Sequence, residues 1–418
     1  MFPRVRLCSL IVIALVCSAG SAEAQIGDRV SVPPRKLLDR YNLEQLWLSH
    51  AVIDSSRDRV TNLVLDEETV YVQTKNGFIS ALDSRSGAQR WAQLLARLDT
   101  PQFPLISNSD TVLVNAGMSM FAVDKWSGSE LWHINLPEQV STSPAMDEER
   151  VFLATGSGSV YAFDLAKVLE LYRQHKLPEW GFQARLWRHR TSKAIRYSPL
   201  SYDGQITFAS ETKTIYSVNA ADDSLVFQME TPDAVTAPIV RSEDKLFVAT
   251  GDQRLYCLNA QRGTTLWIFI ARANIPDSPN LINNRCYVSP NDGSLHCLNK
   301  ETGVLLWEQF GARGVLAETE NYVVSQDKLG NVLLISPQEE QQTAQIIARL
   351  PLRDFSIRAE NELTDRIYLA TPSGMVICLK EKGISYPKFF KNPDKRPLEP
   401  IFTDDNAAAP VEENTGAF

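Results

Sequence analysis

Five histidines, His50, His133, His175, His189 and His296, are the side chains best suited to bind a metal or move a proton near neutral pH. None falls in an H-E-x-x-H or related ligand spacing. His133 follows Trp132 and His296 precedes Cys297, each inside an alternating apolar run, so both read as packed strand residues. The carboxylate pairs Asp222-Asp223 and Asp404-Asp405 have the types for acid–base work. The first reads as a turn and the second as part of a polar tail, so solvated residues are expected at both. The glycine-rich run Ala154-Thr155-Gly156-Ser157-Gly158-Ser159 opens no helix, and a phosphate cradle uses a helix N-terminus. It reads as a hairpin turn. No catalytic, cofactor-binding or metal-ligating residue is assigned, and no cofactor is expected.

Basic residues give a sharper signal. Between Ala166 and Arg196 stand Lys167, Arg173, Lys176, Arg185, Arg188, Arg190, Lys193 and Arg196, opposed only by Glu170 and Glu179, in a chain of net charge −8. Trp180 lies among them. Leu165, Val168, Leu169 and Tyr172 fall at helical spacing behind Asp164, which has the side chain of an N-cap. A helical, basic segment over about 165–185 is expected. It is either a docking face for an acidic partner, peptidoglycan or lipid headgroups, with Lys167, Arg173, Lys176, Trp180, Arg185, Arg188 and Arg190 as contacts, or a solvated helix.

Those residues need elements to hold them. With 418 residues, 44% hydrophobic and 22% charged, the chain can bury a large core and is neither collagen-like nor disordered throughout. Its negative charge argues against coating nucleic acid, so no such partner is expected. Arg4 and Arg6 precede an apolar run from Leu7 to Cys17, and Ala22-Glu23-Ala24 supplies a small-residue cleavage site. Residues 1–24 therefore read as a secretory signal on an exported protein. The run is shorter than the ~20 residues a bilayer span requires, and no transmembrane span is expected. Acylation at Cys17 would need a small residue before it, and Val16 stands there.

The dominant pattern is a repeat. Asp83, Asp124, Asp164, Asn219, Asn259 and Asn299 recur about every 40 residues, except for one interval about 15 residues longer. Glycine follows four residues later at Gly87, Gly128, Gly263 and Gly303, and an aromatic eight later at Trp91, Trp132, Phe227, Trp267 and Trp307. Trp187 is displaced by the longer interval, which marks an insertion in the third copy. Degenerate copies end at Ser336 and Lys380, making eight. Each copy holds short alternating runs split by turn signals, hence three or four antiparallel strands. One copy cannot bury both faces of its sheet; eight stacked radially can. The last copy lacks an aromatic strand, while Trp47 stands in one before the first copy. An all-β, eight-bladed β-propeller over 44–383 is predicted, with the N-terminal strand closing the last blade, a leader at 25–43 and a disordered tail at 384–418 whose start Phe389 and Phe390 pin to the propeller.

Three cysteines, Cys257, Cys297 and Cys378, share one repeat position that other copies fill with Ala81, Ala122 and Ala162. A small, buried site is expected there. Cys286 lies on the strand before Cys297, and a turn near Asn291-Asp292 sets the two opposite each other. A Cys286–Cys297 disulfide and two packed thiols are both open.

The segment Ala81-Leu82-Asp83-Ser84-Arg85-Ser86-Gly87-Ala88-Gln89-Arg90-Trp91 resembles the tryptophan-docking repeat of the pyrroloquinoline-quinone (quinoprotein) propellers. The likeness covers about residues 44 to 383. It implies a structural role for Trp47, Asp83, Gly87, Trp91, Asp124, Gly128, Trp132, Trp187, Asn259, Gly263, Trp267, Asn299, Gly303 and Trp307. Within that family, the length and short blades are most similar to its non-enzymatic scaffolds of outer-membrane β-barrel assembly. That implies a periplasmic or outer-membrane-associated monomer with a protein partner, a component of the assembly machinery. The family's dehydrogenases carry adjacent cysteines and calcium ligands; no two cysteines are adjacent here. A quinone-dependent dehydrogenase and a sugar- or cell-wall-binding propeller are the alternatives.

Overall fold

Alternating apolar residues become strands, and the strands group in fours. The computed structural model describes residues 32–95, 103–338 and 342–391. The expected signal segment 1–24, the first part of the expected leader 25–43 and the part of the expected tail beyond 391 lie outside the described residues. Eight four-stranded units follow one another at 60–94, 106–135, 145–190, 200–230, 240–270, 280–310, 313–350 and 357–381, and are numbered here as blades one to eight. Blade eight takes its fourth strand from the N-terminus: Leu43–His50 runs antiparallel to Met375–Glu381, with Trp47 opposite Cys378. Blades six and seven are joined by one parallel bridge, Glu308 with Thr343.

Burial shows that the ring closes. Each strand sends alternate side chains to opposite faces of its blade, and the eight apolar clusters among the described residues each lie between two successive blades. One joins blade eight to blade one through Trp47, Ala370, Val376, Val60, Val70 and Leu82. The N-terminal helix α1 (Arg35–Arg40) adds Leu38, 1% exposed, to the cluster between blades seven and eight. The tail docks further than its polarity suggests. Phe389 bridges to Thr364, the Phe390 N–H donates to the Leu363 carbonyl, and the Phe390 ring packs on the cluster between blades six and seven.

The repeat residues explain the spacing of the blades. On the fourth strand each docking aromatic sits opposite a small residue of the third: Trp91 opposite Ala81, Trp132 opposite Ala122, Trp187 opposite Ala162, Phe227 opposite Ser217, Trp267 opposite Cys257 and Trp307 opposite Cys297. The ring then leans on the next blade's turn. Trp47, Trp91, Trp187 and Trp267 donate their indole N–H to the carbonyls of Ser84, Lys125, Ala220 and Lys300, at 2.9, 2.8, 2.9 and 3.2 Å. The turn glycine is required twice over. At Gly128, φ is +71°, and an added Cβ would come within 2.5 Å of the Trp91 ring. The Asp at the head of the turn accepts the backbone N–H groups of the residues after it, as Asp124 does from Trp126 and Ser127. In blade four Asp223 stands at the glycine position with φ +62° and bonds His189 at 2.7 Å.

The disulfide alternative is corrected by the register. Cys286 lies opposite Leu298, whereas Cys297 lies opposite Tyr287. The two sulfurs therefore leave opposite faces of blade six, one toward blade five and the other toward blade seven. Both remain buried thiols, and burial pushes the Cys286 thiol well above its ordinary range.

Candidate partner-binding site

The third blade carries the one large departure from the repeat. Where its neighbours turn directly from third to fourth strand, Asp164 starts helix α2 (Leu165–Arg173) and accepts the Lys167 N–H at 3.0 Å. The chain returns through a short 3-10 turn (Gly181–Ala184) to the fourth strand, Arg185–Arg190. Val168, Leu171 and Ala184 enter the cluster between blades two and three. Gly181 is pressed so close to blade two that a Cβ there would lie 2.9 Å from the Ile134 Cβ. The helix is as expected, but its buried stripe is shifted. Leu171 is buried and Tyr172 is 47% exposed, because the helix packs into the cluster shared by blades two and three.

The basic residues separate into two groups. Lys167 pairs with Glu170 at 2.7 Å. Arg188 lies over the Tyr161 ring and pairs with Glu138 at 2.7 Å; Glu138 is held below the usual carboxylate range chiefly by the Ser157 hydroxyl. Arg196 pairs with Glu211. These three are tied up within the fold. Arg173, Lys176, Arg185 and Arg190 are exposed and have no carboxylate in ion-pair contact among the described residues. With Lys193, which is also exposed and absent from any ion pair among the described residues, five of the eight basic residues are left unpaired.

Around the unpaired cations stands an aromatic tip. Trp180 is 47% exposed and Phe182 55% exposed, with ring centroids 5.9 Å apart. The Trp180 backbone N–H donates to the Lys176 carbonyl at 3.0 Å, which closes the turn that leads from the helix to this tip. Sequence reasoning found Trp180 but missed Phe182 and Tyr172. The available signal was the small Gly181 between two aromatics: when it packs inward, its neighbours must point out.

Behind the helix, the same departure leaves a groove of about 580 Å³ between blades two and three. Leu131, Trp132, Leu165, Leu169 and Leu186 supply its apolar surface, and the first turns of blades two and three supply its acidic rim. Among the described residues no helix is long and apolar enough to cross a membrane.

Comparison with known proteins agrees with this architecture. A family model described as outer membrane protein assembly factor BamB matches residues 75–179 and 211–346. No curated protein matches the chain. Among solved structures, BamB from Moraxella catarrhalis aligns with a TM-score of 0.60 at 15% identity, over 82% of this chain and 98% of that one. The computationally designed protein Ika8 gives 0.60 at 14% identity, over 80% and 98%. The C-terminal WD40 domain of Sif2 gives 0.56 at 10% identity, over 81% and 98%. At these identities the structures establish a shared propeller fold, and the family model, which matches more than half of the chain, establishes kinship: this protein belongs to the BamB family of PQQ-type β-propellers.

Proposed function

We propose that this chain is an exported, non-catalytic β-propeller scaffold that holds a protein partner in outer-membrane protein assembly, and that the partner docks on the blade-three insertion. The carrying observation is the insertion's tip. Trp180 and Phe182, in tilted ring contact, and Tyr172 are exposed on the same insertion as Arg173, Lys176 and Arg185, none of which has an ion-pair partner among the described residues. Exposed aromatic and arginine side chains on a well-supported base are the composition of binding hot spots. Their charge selects an acidic surface on the partner. Family membership supports the scaffold reading and the compartment.

The test is recovery of the partner in the source organism. Replacing Arg173, Lys176 and Arg185 by Glu should abolish co-purification of outer-membrane assembly components, and replacing Trp180 and Phe182 by Ala should weaken it at least 10-fold. Both variants alter exposed side chains, so circular dichroism should match the parent. Undiminished co-purification by both variants would overturn the proposed docking face.

A further inference from the structure

The groove between blades two and three lies where α2 replaces a docking turn. In the neighbouring blades the aromatic of one blade gives its N–H to the carbonyl just after the next blade's Asp or Asn. For Trp132 the equivalent residue is Leu165, the first of α2, whose carbonyl is turned into the helix ladder. Trp132 is only 3% exposed, lines the groove, and its indole N–H makes no hydrogen bond among the described residues. That N–H is not sealed from water, so it is free to donate to an oxygen that enters the groove.

The surroundings define what brings that oxygen. Leu131, Leu165, Leu169 and Leu186 provide an apolar wall, and Leu186 is 43% exposed. The rim carries Asp110, Glu148, Glu149 and Asp164 against the single cation Arg150. Arg150 is already paired with Glu149 at 2.7 Å and with Asp147. Asp110 and Glu148 are exposed and share only the Ser109 hydroxyl, at 3.1 and 2.9 Å. We infer that this groove binds an apolar peptide segment flanked by lysine or arginine, with a carbonyl of that segment accepting the Trp132 N–H. Its charge is opposite to that of the insertion's basic tip, so the two sites take different segments, and this one does not depend on the first. A pocket of this volume matches the usual size of small-ligand and side-chain pockets.

A random 12-residue display library, selected on the mature protein and depleted on a Leu169→Asp, Leu186→Asp variant, tests the inference directly. Groove-dependent peptides should be enriched in Leu, Ile or Phe beside Lys or Arg. Synthetic versions should bind at least 10-fold more weakly to an Asp110→Lys, Glu148→Lys variant. In protein labelled with 15N at tryptophan, they should move the Trp132 indole resonance, assigned by Trp132→Phe, and leave that of Trp180 in place. Acidic consensus peptides, affinity indifferent to the rim charges, movement at Trp180 instead of Trp132, or no groove-dependent peptide at all would each overturn it.

Discussion

Two stretches of the ring solve the same problem differently. From blade eight to blade two, each junction is a tryptophan on a glycine turn. Trp47 lies on Gly87, Trp91 lies on Gly128, and both indoles are hydrogen-bonded. From blade six to blade eight the device fades. Trp307 is fully buried, yet its indole N–H has no acceptor among the described residues. In blade seven the sizes are exchanged, with Leu334 where the small residue belongs and Ala348 opposite it where the aromatic belongs. What remains is buried volume, conserved by swapping partners across one strand pair.

Polar latches take over where docking turns are missing. Glu381, 2% exposed on blade eight, accepts the Asn321 backbone and side-chain N–H groups of blade seven at 3.0 and 2.8 Å. Arg358 reaches back from blade eight to Gln326 at 2.7 Å and to the Gly330 carbonyl. Glu360 and Glu362 extend to blade six, accepting from Asn280 Nδ2 and the Leu281 N–H at 2.8 and 2.9 Å. The regular junctions are modular and interchangeable, whereas this arc is held by pairs that each fit one place.

That contrast can be broken in four ways. The largest expected effect is Trp91→Ala, which removes both the ring and its hydrogen bond and should cost about 3–5 kcal/mol in a urea titration. Next, Gly128→Ala forces a Cβ into the Trp91 ring at φ +71°, for a loss of about 2–3 kcal/mol, while Gly383→Ala in blade eight, with open space around it at φ +81°, should cost about 1 kcal/mol. Equal losses at the two glycines would mean that backbone strain, and not the ring, sets the requirement. Third, Trp91→Phe should be about 1–2 kcal/mol more damaging than Trp307→Phe, since only the first loses a made hydrogen bond and the second removes an orphaned donor. The reverse order would show that Trp307 Nε1 is satisfied in solution.

The smallest effect is in the pH response, where the two arcs have opposite signs. In the regular arc, Asp124 is held below the ordinary aspartate range first by the Ser127 backbone N–H and then by its hydroxyl. Its contribution is complete above about pH 4 and disappears as the pH falls further. In the latched arc, the surrounding protein partly strips water from the Glu360 carboxyl and raises it above the ordinary glutamate range, although the residue keeps an exposed edge. The folded state then holds a proton that the unfolded state has released, so stability falls as pH rises through that window. Glu360→Gln should raise Tm by about 1–2 °C at pH 7 and change nothing near pH 4. A lower Tm at pH 7 would show that the carboxylate is needed in ionised form at the Asn280 contact.

Most of the fold was legible because its determinants are local and repeated. The Asp, Gly and Trp of each copy fix one turn and one contact, so their spacing carries the blade, and the unmatched Trp47 carries the closure. The Cys286–Cys297 alternative failed on a shift of one residue in register, which flips a side chain to the other face and which no composition reveals. The site was read only in part. Charge density marked the insertion, but pairing with Glu138, Glu170 and Glu211 depends on neighbours brought close by folding, two of them from outside the segment. The groove was invisible, since its walls come from three blades and its donor is defined by a missing acceptor.

Closure of blade eight by Leu43–His50 ties the first described strand to the last. The chain must form this clasp across more than three hundred intervening residues, at an entropic cost that grows only slowly with length. Until Met375–Glu381 is available, blades one and seven present open flanks, with Val60, Val70, Leu316 and Leu350 facing water. An arc of seven blades would leave both of these apolar flanks uncovered, and the final strand is what lets the last blade cover them and close the wheel.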